Sequence, residues 1–308
     1  MSSVPLNEAV SISSKQLILL RHVSDQIVFK VGKVKSRQSG NYLSAYKGRG
    51  MEFDEVRSYQ AGDDIKTMDW KVTARTGKPH TKLFREERER TIFLWVDLRK
   101  NMFFATRGAF KSVIASRLAT ILAWASASHG DRLGGLIFSD LEHHEIKPTR
   151  GKKSVLHFIH QLVHHPVWQS SELNEVGHQG LSQSLARLRR VAKPGSLIFL
   201  LSDFQGLDQQ AHTHINQLSR HNDLTMVSIH DPIEATLPPP GFYRVSDGQA
   251  EFNIQTHSKQ LRKSYHQRFI NHMDQLKKIC LQNHIHLMNF STEDDIVSKL
   301  QQELMVIK

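Results

Sequence analysis

Cysteine is almost missing from this chain. Cys280 is the only one in 308 residues, so neither an intramolecular disulfide nor a cysteine-ligated zinc site can form. A reducing compartment follows as the expectation, and with it a cytoplasmic protein. Glycine and proline are sparse too, at 17 and 9 residues, which excludes collagen-like sequence and low-complexity linkers. No apolar run suits a bilayer: the most apolar helical segment, 113–127, is short and interrupted by Arg117. Residues 1–10 lack a basic stretch followed by an apolar one, so no secretory signal is expected. The phosphate-loop, zinc-protease and serine-hydrolase signatures are absent as well. Acid is in deficit: 41 Lys and Arg against 30 Asp and Glu leave a net charge of +11. That balance favours an acidic partner, whether nucleic acid, anionic lipid or protein.

What is present falls into two parts. Residues 12–26 form a short helical pattern, and 27–50 alternate apolar with basic residues and carry several glycines. Residues 52–90 hold equal numbers of acids and bases. The expectation is a β-rich, charge-dense N-terminal module over 1–90. From 91 onward buried-strand patterns alternate with helical ones. TIFLWVDL (91–98), 132–138, SLIFLL (196–201), 224–230 and 284–290 read as strands. Segments 109–128, 154–164, 181–192, 207–220, 261–280 and 293–305 read as helices. An edge strand at 141–146 should stop before Pro148, and 238–256 should be an inserted hairpin turning at Gly248. This order predicts an α/β domain over 91–308, with a mostly parallel sheet covered by helices on both faces.

Ligands of open parallel sheets sit beyond the carboxyl ends of the strands. Two strands here end in aspartate, Asp97 and Asp203, so both carboxylates belong to one rim. Such a pair can hold a divalent cation, or each acid can cap a helix or pair with a base. The run GRGMEFDEVRSYQAGDDIKTMDWKVTARTGKPHTKLFREERER (48–90), together with VDLRKNM, GDRLGGLIF and LSDF, resembles domain of unknown function family 58. The resemblance implies a von Willebrand factor A-like fold. It also implies, as partners, a MoxR-type AAA+ ATPase and other von Willebrand A-like proteins. Metal-binding relatives of that fold use two serines after the first aspartate, a threonine from a second loop and an aspartate from a third. This chain keeps Asp97 and Asp203, puts Arg99 and Asn101 where the serines would be, and has Gln179 near the threonine position. The resemblance therefore implies a degenerate site over Asp97, Asn101 and Asp203. Magnesium or manganese is disfavoured there because Arg99 repels a cation. Arg99 or Lys100 is expected to take the cation's place, with a solvated Arg99 as the rival.

In the signature run, interleaved bases turn the acids towards ion pairing rather than catalysis. Arg49, Glu52, Arg57, Asp63, Asp64, Asp69 and Trp70 are expected as structural or docking residues, with Trp70 buried against the sheet. His157, His160 and His164 share a helical face without acidic support. The pairs His143-His144 and His164-His165 have weaker claims still as metal ligands. Cys280 lies on an apolar stripe and should be a buried, inert thiol. The resulting expectation is a non-enzymatic adaptor without a cofactor, whose partner surface is the rim around Asp97, Arg99, Asn101, Gln179 and Asp203. The rivals are a nucleic-acid-binding protein, which lacks a recognised motif, and a metal-dependent hydrolase built on the signature carboxylates.

Overall fold

A computed structural model describes residues 6–24, 27, 51–60, 62–86, 90–169, 180–246 and 251–306. The chain divides into two units, Met1–Val34 with Arg90–Lys308, and Lys35–Glu89. The boundary differs from the 1–90 module read from sequence, because the N-terminal helices belong with the α/β unit. These are α1 (Leu6–Val10), α2 (Ser14–Leu19) and α3 (Arg21–Ser24). Ser13 caps α2 in a capping box with Gln16 and presents Leu17, which is fully buried. The unit of 35–89 contains β1 (Met51–Ser58), α4 (Trp70–Thr76) and β2 (His80–Glu86). Its strands pair antiparallel, with a register shift between Phe53 and Glu55.

The α/β unit continues through β3 (Thr91–Asp97), α5 (Lys111–Ser128), β4 (Arg132–Phe138), β5 (His143–Arg150), α6 (Lys152–Val163), α7 (Leu181–Val191) and β6 (Leu197–Ser202). Then come α8 (Gln209–Ser219), β7 (Asp223–His230) and α9 (Pro232–Ala235), followed by the hairpin β8 (Phe242–Ser246) and β9 (Glu251–Gln255). The chain closes with α10 (Lys259–Asn283), β10 (His286–Ser291) and α11 (Ile296–Val306). The sheet order is β10-β7-β6-β3-β4-β5, parallel throughout except for the antiparallel edge strand β5. That strand runs to Arg150, through Pro148 rather than stopping before it. Proline is tolerated because this is the sheet edge, and the β4–β5 register slips just there, between Leu133 and Gly135. The hairpin lies where the sequence put it, while its turn at Gly248 is outside the described residues.

Strand β3 shows why the sheet needs helices on both sides. Ile92, Leu94 and Val96 enter one core with residues of α5, α6 and α11, whereas Phe93 and Trp95 enter a second with α7, α8 and α10. Each residue from 92 to 97 is buried, as period-two alternation requires of a central strand covered twice. Helix α5 is accordingly apolar nearly all round and lies in the first core. The N-terminal helices are tied to it by directed bonds. Trp124 Nε1 donates to the Leu17 carbonyl at 3.2 Å, Arg117 Nη2 to that of Glu8 at 2.8 Å, and the Phe110 amide to that of Ala9 at 2.8 Å. Arg117, which interrupts the apolar helix pattern, thus has a backbone carbonyl as its partner. Cys280 is buried on α10, and burial pushes its thiol up to about 12, so it is inert as expected.

Two glycines separate backbone strain from collision. Gly108 and Gly151 both have positive φ, but a Cβ on Gly108 would stand 2.0 Å from the Thr292 carbonyl oxygen, while one on Gly151 would meet nothing within 4 Å. Gly151→Ala should therefore cost about 1 kcal/mol and Gly108→Ala at least about 3 kcal/mol. Urea unfolding of the two variants checks this, and equal losses would refute the collision.

Candidate functional site

The carboxyl ends of β3 and β6 meet at one rim, and four charged side chains converge there. Asp97 is fully buried at the last position of β3. Its oxygens accept from the Arg99 amide (2.9 Å), Arg99 Nε (3.0 and 3.1 Å), Arg99 Nη2 (2.7 Å) and Ser202 Oγ (2.6 Å). The planar guanidinium folds back onto the carboxylate two residues before it, a fit that an ammonium could not copy. Arg99 Nη2 also reaches the Gln205 carbonyl at 3.2 Å and lies 3.8 Å from Asp203 Oδ1. The guanidinium carbon sits 5.9 Å from the centre of the Phe138 ring. A solvated Arg99 is therefore not what the structure shows, since this residue is 8% exposed.

The second cation was not legible as such in the sequence. Lys111, in the first turn of α5 and 1% exposed, places Nζ 2.9 Å from Asp203 Oδ2 and 2.7 Å from Glu234 Oε1. A buried ammonium at a helix amino terminus is opposed both by desolvation and by the helix dipole. Two carboxylates offset this: desolvation pulls Lys111 down, yet Asp203 and Glu234 hold it above its ordinary value. Arg99 likewise stands above its ordinary value, with Asp97 and Asp203 outweighing desolvation. Burial pushes Asp97 up, against the pull of Arg99 and the Ser202 hydroxyl. These directions oppose one another within a single pair. With four donors on the carboxylate and a guanidinium that does not deprotonate, the pair is ionised at neutral pH.

The rim rests on two further supports. Phe204, fully buried, follows Asp203 with φ of 55°, a left-handed conformation costly for a side chain of this size. It is held by its amide's bond to Ser202 Oγ at 2.8 Å, while the Gln205 amide bonds Asp203 Oδ1 at 3.0 Å. At the end of β7, buried Asp231 accepts from the Thr106 amide and hydroxyl, the Ile233 amide and the Thr292 hydroxyl, all within 2.9 Å. Burial works to raise this carboxyl, but the bonds from Thr106, Ile233 and Thr292 outweigh it and hold it below the usual carboxylate range.

The other expected residues scatter. Asn101 is exposed in the short 3-10 turn after Arg99, and Asp97 and Asp203 meet without it. Gln179 and Arg49 lie outside the described residues. Lys100 gives its amide to Asp140 at 2.7 Å. In the unit of 35–89, Arg57 pairs with Asp63 at 2.7 Å, and Asp64 and Asp69 cap the short turns that follow them. The Gln60 amide and Arg57 hold Asp63 below the usual range, and the Val72 amide leads in doing so for Asp69. Glu52 lies on β1 in register with Arg85. Trp70, expected to be buried, is 66% exposed at the first position of α4, a helix that buries none of its residues. Asp63, Asp64 and Asp69 thus serve as caps and ion-pair partners.

A divalent cation needs several oxygens free to face it. Here Arg99 Nη2 stands between Asp97 and Asp203, and Lys111 Nζ takes the other oxygen of Asp203, so the donor set does not fit magnesium or manganese. Calorimetric titration with either ion should give no binding heat; micromolar binding abolished by Asp97→Ala would refute this. Arg99→Met, which leaves Asp97 buried and alone, should cost about 3–5 kcal/mol in urea unfolding, and Arg99→Met with Asp97→Asn should regain part of it. Lys111 adds an alkaline limb. Since its folded value lies above the unfolded one, its contribution is complete below about pH 10.5 and lost as pH rises through the folded value. Melting curves of the wild type against Lys111→Met should converge above that pH.

Solved structures resembling this chain include BatB of Bacteroides thetaiotaomicron (TM-score 0.44, 14% identity, 70% of this chain and 97% of that one). Another is the von Willebrand A domain of SpRpn10 (TM-score 0.39, 8% identity, 69% and 94%). The sheet described above is the mostly parallel α/β sheet that the sequence led us to expect. Among curated proteins, the uncharacterized protein Rv1480 of Mycobacterium tuberculosis is 26% identical over 219 residues, 70% of this chain and 67% of its own. The uncharacterized protein Mb1516 of Mycobacterium bovis matches to the same extent. Residues 55–275 match the family described as protein of unknown function DUF58, and the chain belongs to that family.

Proposed function

We propose that this protein is a non-enzymatic adaptor whose rim, at the carboxyl ends of β3 and β6, docks a protein partner. The observation that supports this is the matching of both strand-end carboxylates by fixed side-chain cations. Among the described residues every oxygen of the two carboxylates already has a partner, and the one hydroxyl there, Ser202, is buried and spends its proton on Asp97. The same saturation makes the rim rigid, because Arg99 and Lys111 cross-link the ends of β3, β6, α5 and α9. Around it lie exposed groups suited to a protein contact: Asn101, Leu141 and Gln205. Resemblance to the family supports a MoxR-type AAA+ ATPase as the partner, in the cytoplasm, with the adaptor helping to assemble or activate a further complex. Among the described residues no helix is long and apolar enough to cross a membrane.

The test is co-purification from native lysate with the tagged full chain. A MoxR-type ATPase should be recovered with the wild type. The double variant Asn101→Glu, Gln205→Glu should recover at least about tenfold less at an unchanged melting temperature, because only exposed side chains change and the Gln205 carbonyl that Arg99 uses is retained. Failure to recover any AAA+ ATPase would overturn the partner, and equal recovery by the double variant would overturn the surface.

A further inference from the structure

The histidine pairs at 143–144 and 164–165 have only weak claims by sequence, yet the fold brings one histidine from each together with an acid. Glu142, the residue just before β5, and His144, the second residue of that strand, stand two residues apart, the spacing that puts side chains on one side of an extended chain. His165, fully buried, caps the short turn Pro166–Trp168 that follows α6. One potential ligand atom from each of the three lies within 4.8 Å of the others. The His144 and His165 ring centres are 4.9 Å apart at 40°, and Glu142 Oε1 is 3.2 Å from His144 Nε2. His165 Nε2 is a buried atom without a hydrogen-bond partner, and Glu142 Oε1 forms no hydrogen bond beyond its contact with His144. A ring nitrogen buried and left unpaired is unfavourable unless something occupies the space it faces.

We propose that Glu142, His144 and His165 form a binding site for a zinc-class transition metal ion. Two imidazoles and a carboxylate suit zinc, cobalt or nickel and are poor ligands for magnesium. A tetrahedral ion with ligand bonds near 2 Å holds its donors about 3.3 Å apart, so the cluster must close by about an ångström or more. Glu142 and His144 can supply that movement, since both are partly exposed, while His165 is fixed by burial. Ligation through Nε2 puts the His165 ring proton on Nδ1, which gives up the long 3.4 Å bond from the Val167 amide. A fourth position is left for water. The ion would join the start of edge strand β5 to the turn after α6, through residues that take no part in the Asp97–Arg99 cluster.

Zinc and cobalt titrations of the full chain provide the test, read by calorimetry and by the visible absorption of four-coordinate cobalt. One equivalent should bind in the micromolar range and raise the melting temperature. Glu142→Ala and His144→Ala, which alter partly exposed residues, should each weaken binding at least about tenfold without unfolding the protein. The double variant His160→Ala, His164→Ala removes the stacked surface pair on α6, whose rings are 4.1 Å apart, and should leave binding unchanged. No binding by the wild type, or binding lost with the α6 pair and kept in His144→Ala, would overturn the proposal.

Discussion

Everything at the rim depends on satisfying buried charge without water. Asp97 ends a central strand covered on both faces, so its carboxylate has no solvent and must find its donors within the protein. Arg99, two residues on, supplies three of them by folding back, and Ser202 on the neighbouring strand supplies the fourth. Asp203 then needs a partner of its own, and Lys111 reaches it from the start of α5. Replacing such a pair by apolar residues can be neutral, but removing one partner is costly. The arrangement therefore resists stepwise change: each of these side chains makes its neighbour's burial tolerable.

A cation site and an ion-pair cluster are alternative answers to the same electrostatic problem. A dissolved ion can come and go, so a rim built around one can switch between loaded and empty. Covalently attached cations cannot leave. A rim built on Arg99 and Lys111 therefore keeps one shape and one charge balance.

The sheet was legible because its strands are buried on both sides: continuous apolar runs such as TIFLWVDL and SLIFLL have few other readings. Both strand-end aspartates and the Arg99 substitution were legible for the same reason, since they sit at fixed offsets from those runs. Lys111 was not, because nothing local distinguishes a buried lysine near the start of a helix from a solvated one; its partners lie 92 and 123 residues away. Asp231 and Thr292 escaped likewise, being 61 residues apart. The Glu142–His144 spacing on a strand is a local signal that could have been noticed, but His165 joins them only through the tertiary path of α6. Trp70 misled because its size suggested burial, whereas α4 buries none of its residues.

The α/β unit is also discontinuous along the chain, with α1–α3 separated from β3 by the whole unit of 35–89. During synthesis those helices emerge first, yet the surface that Leu17 enters is complete only after α5 has left the ribosome. Helices this short are barely stable by themselves. Their apolar faces must wait without a partner while the intervening unit is made, so the cell has an interval in which chaperones can act on this protein before it closes.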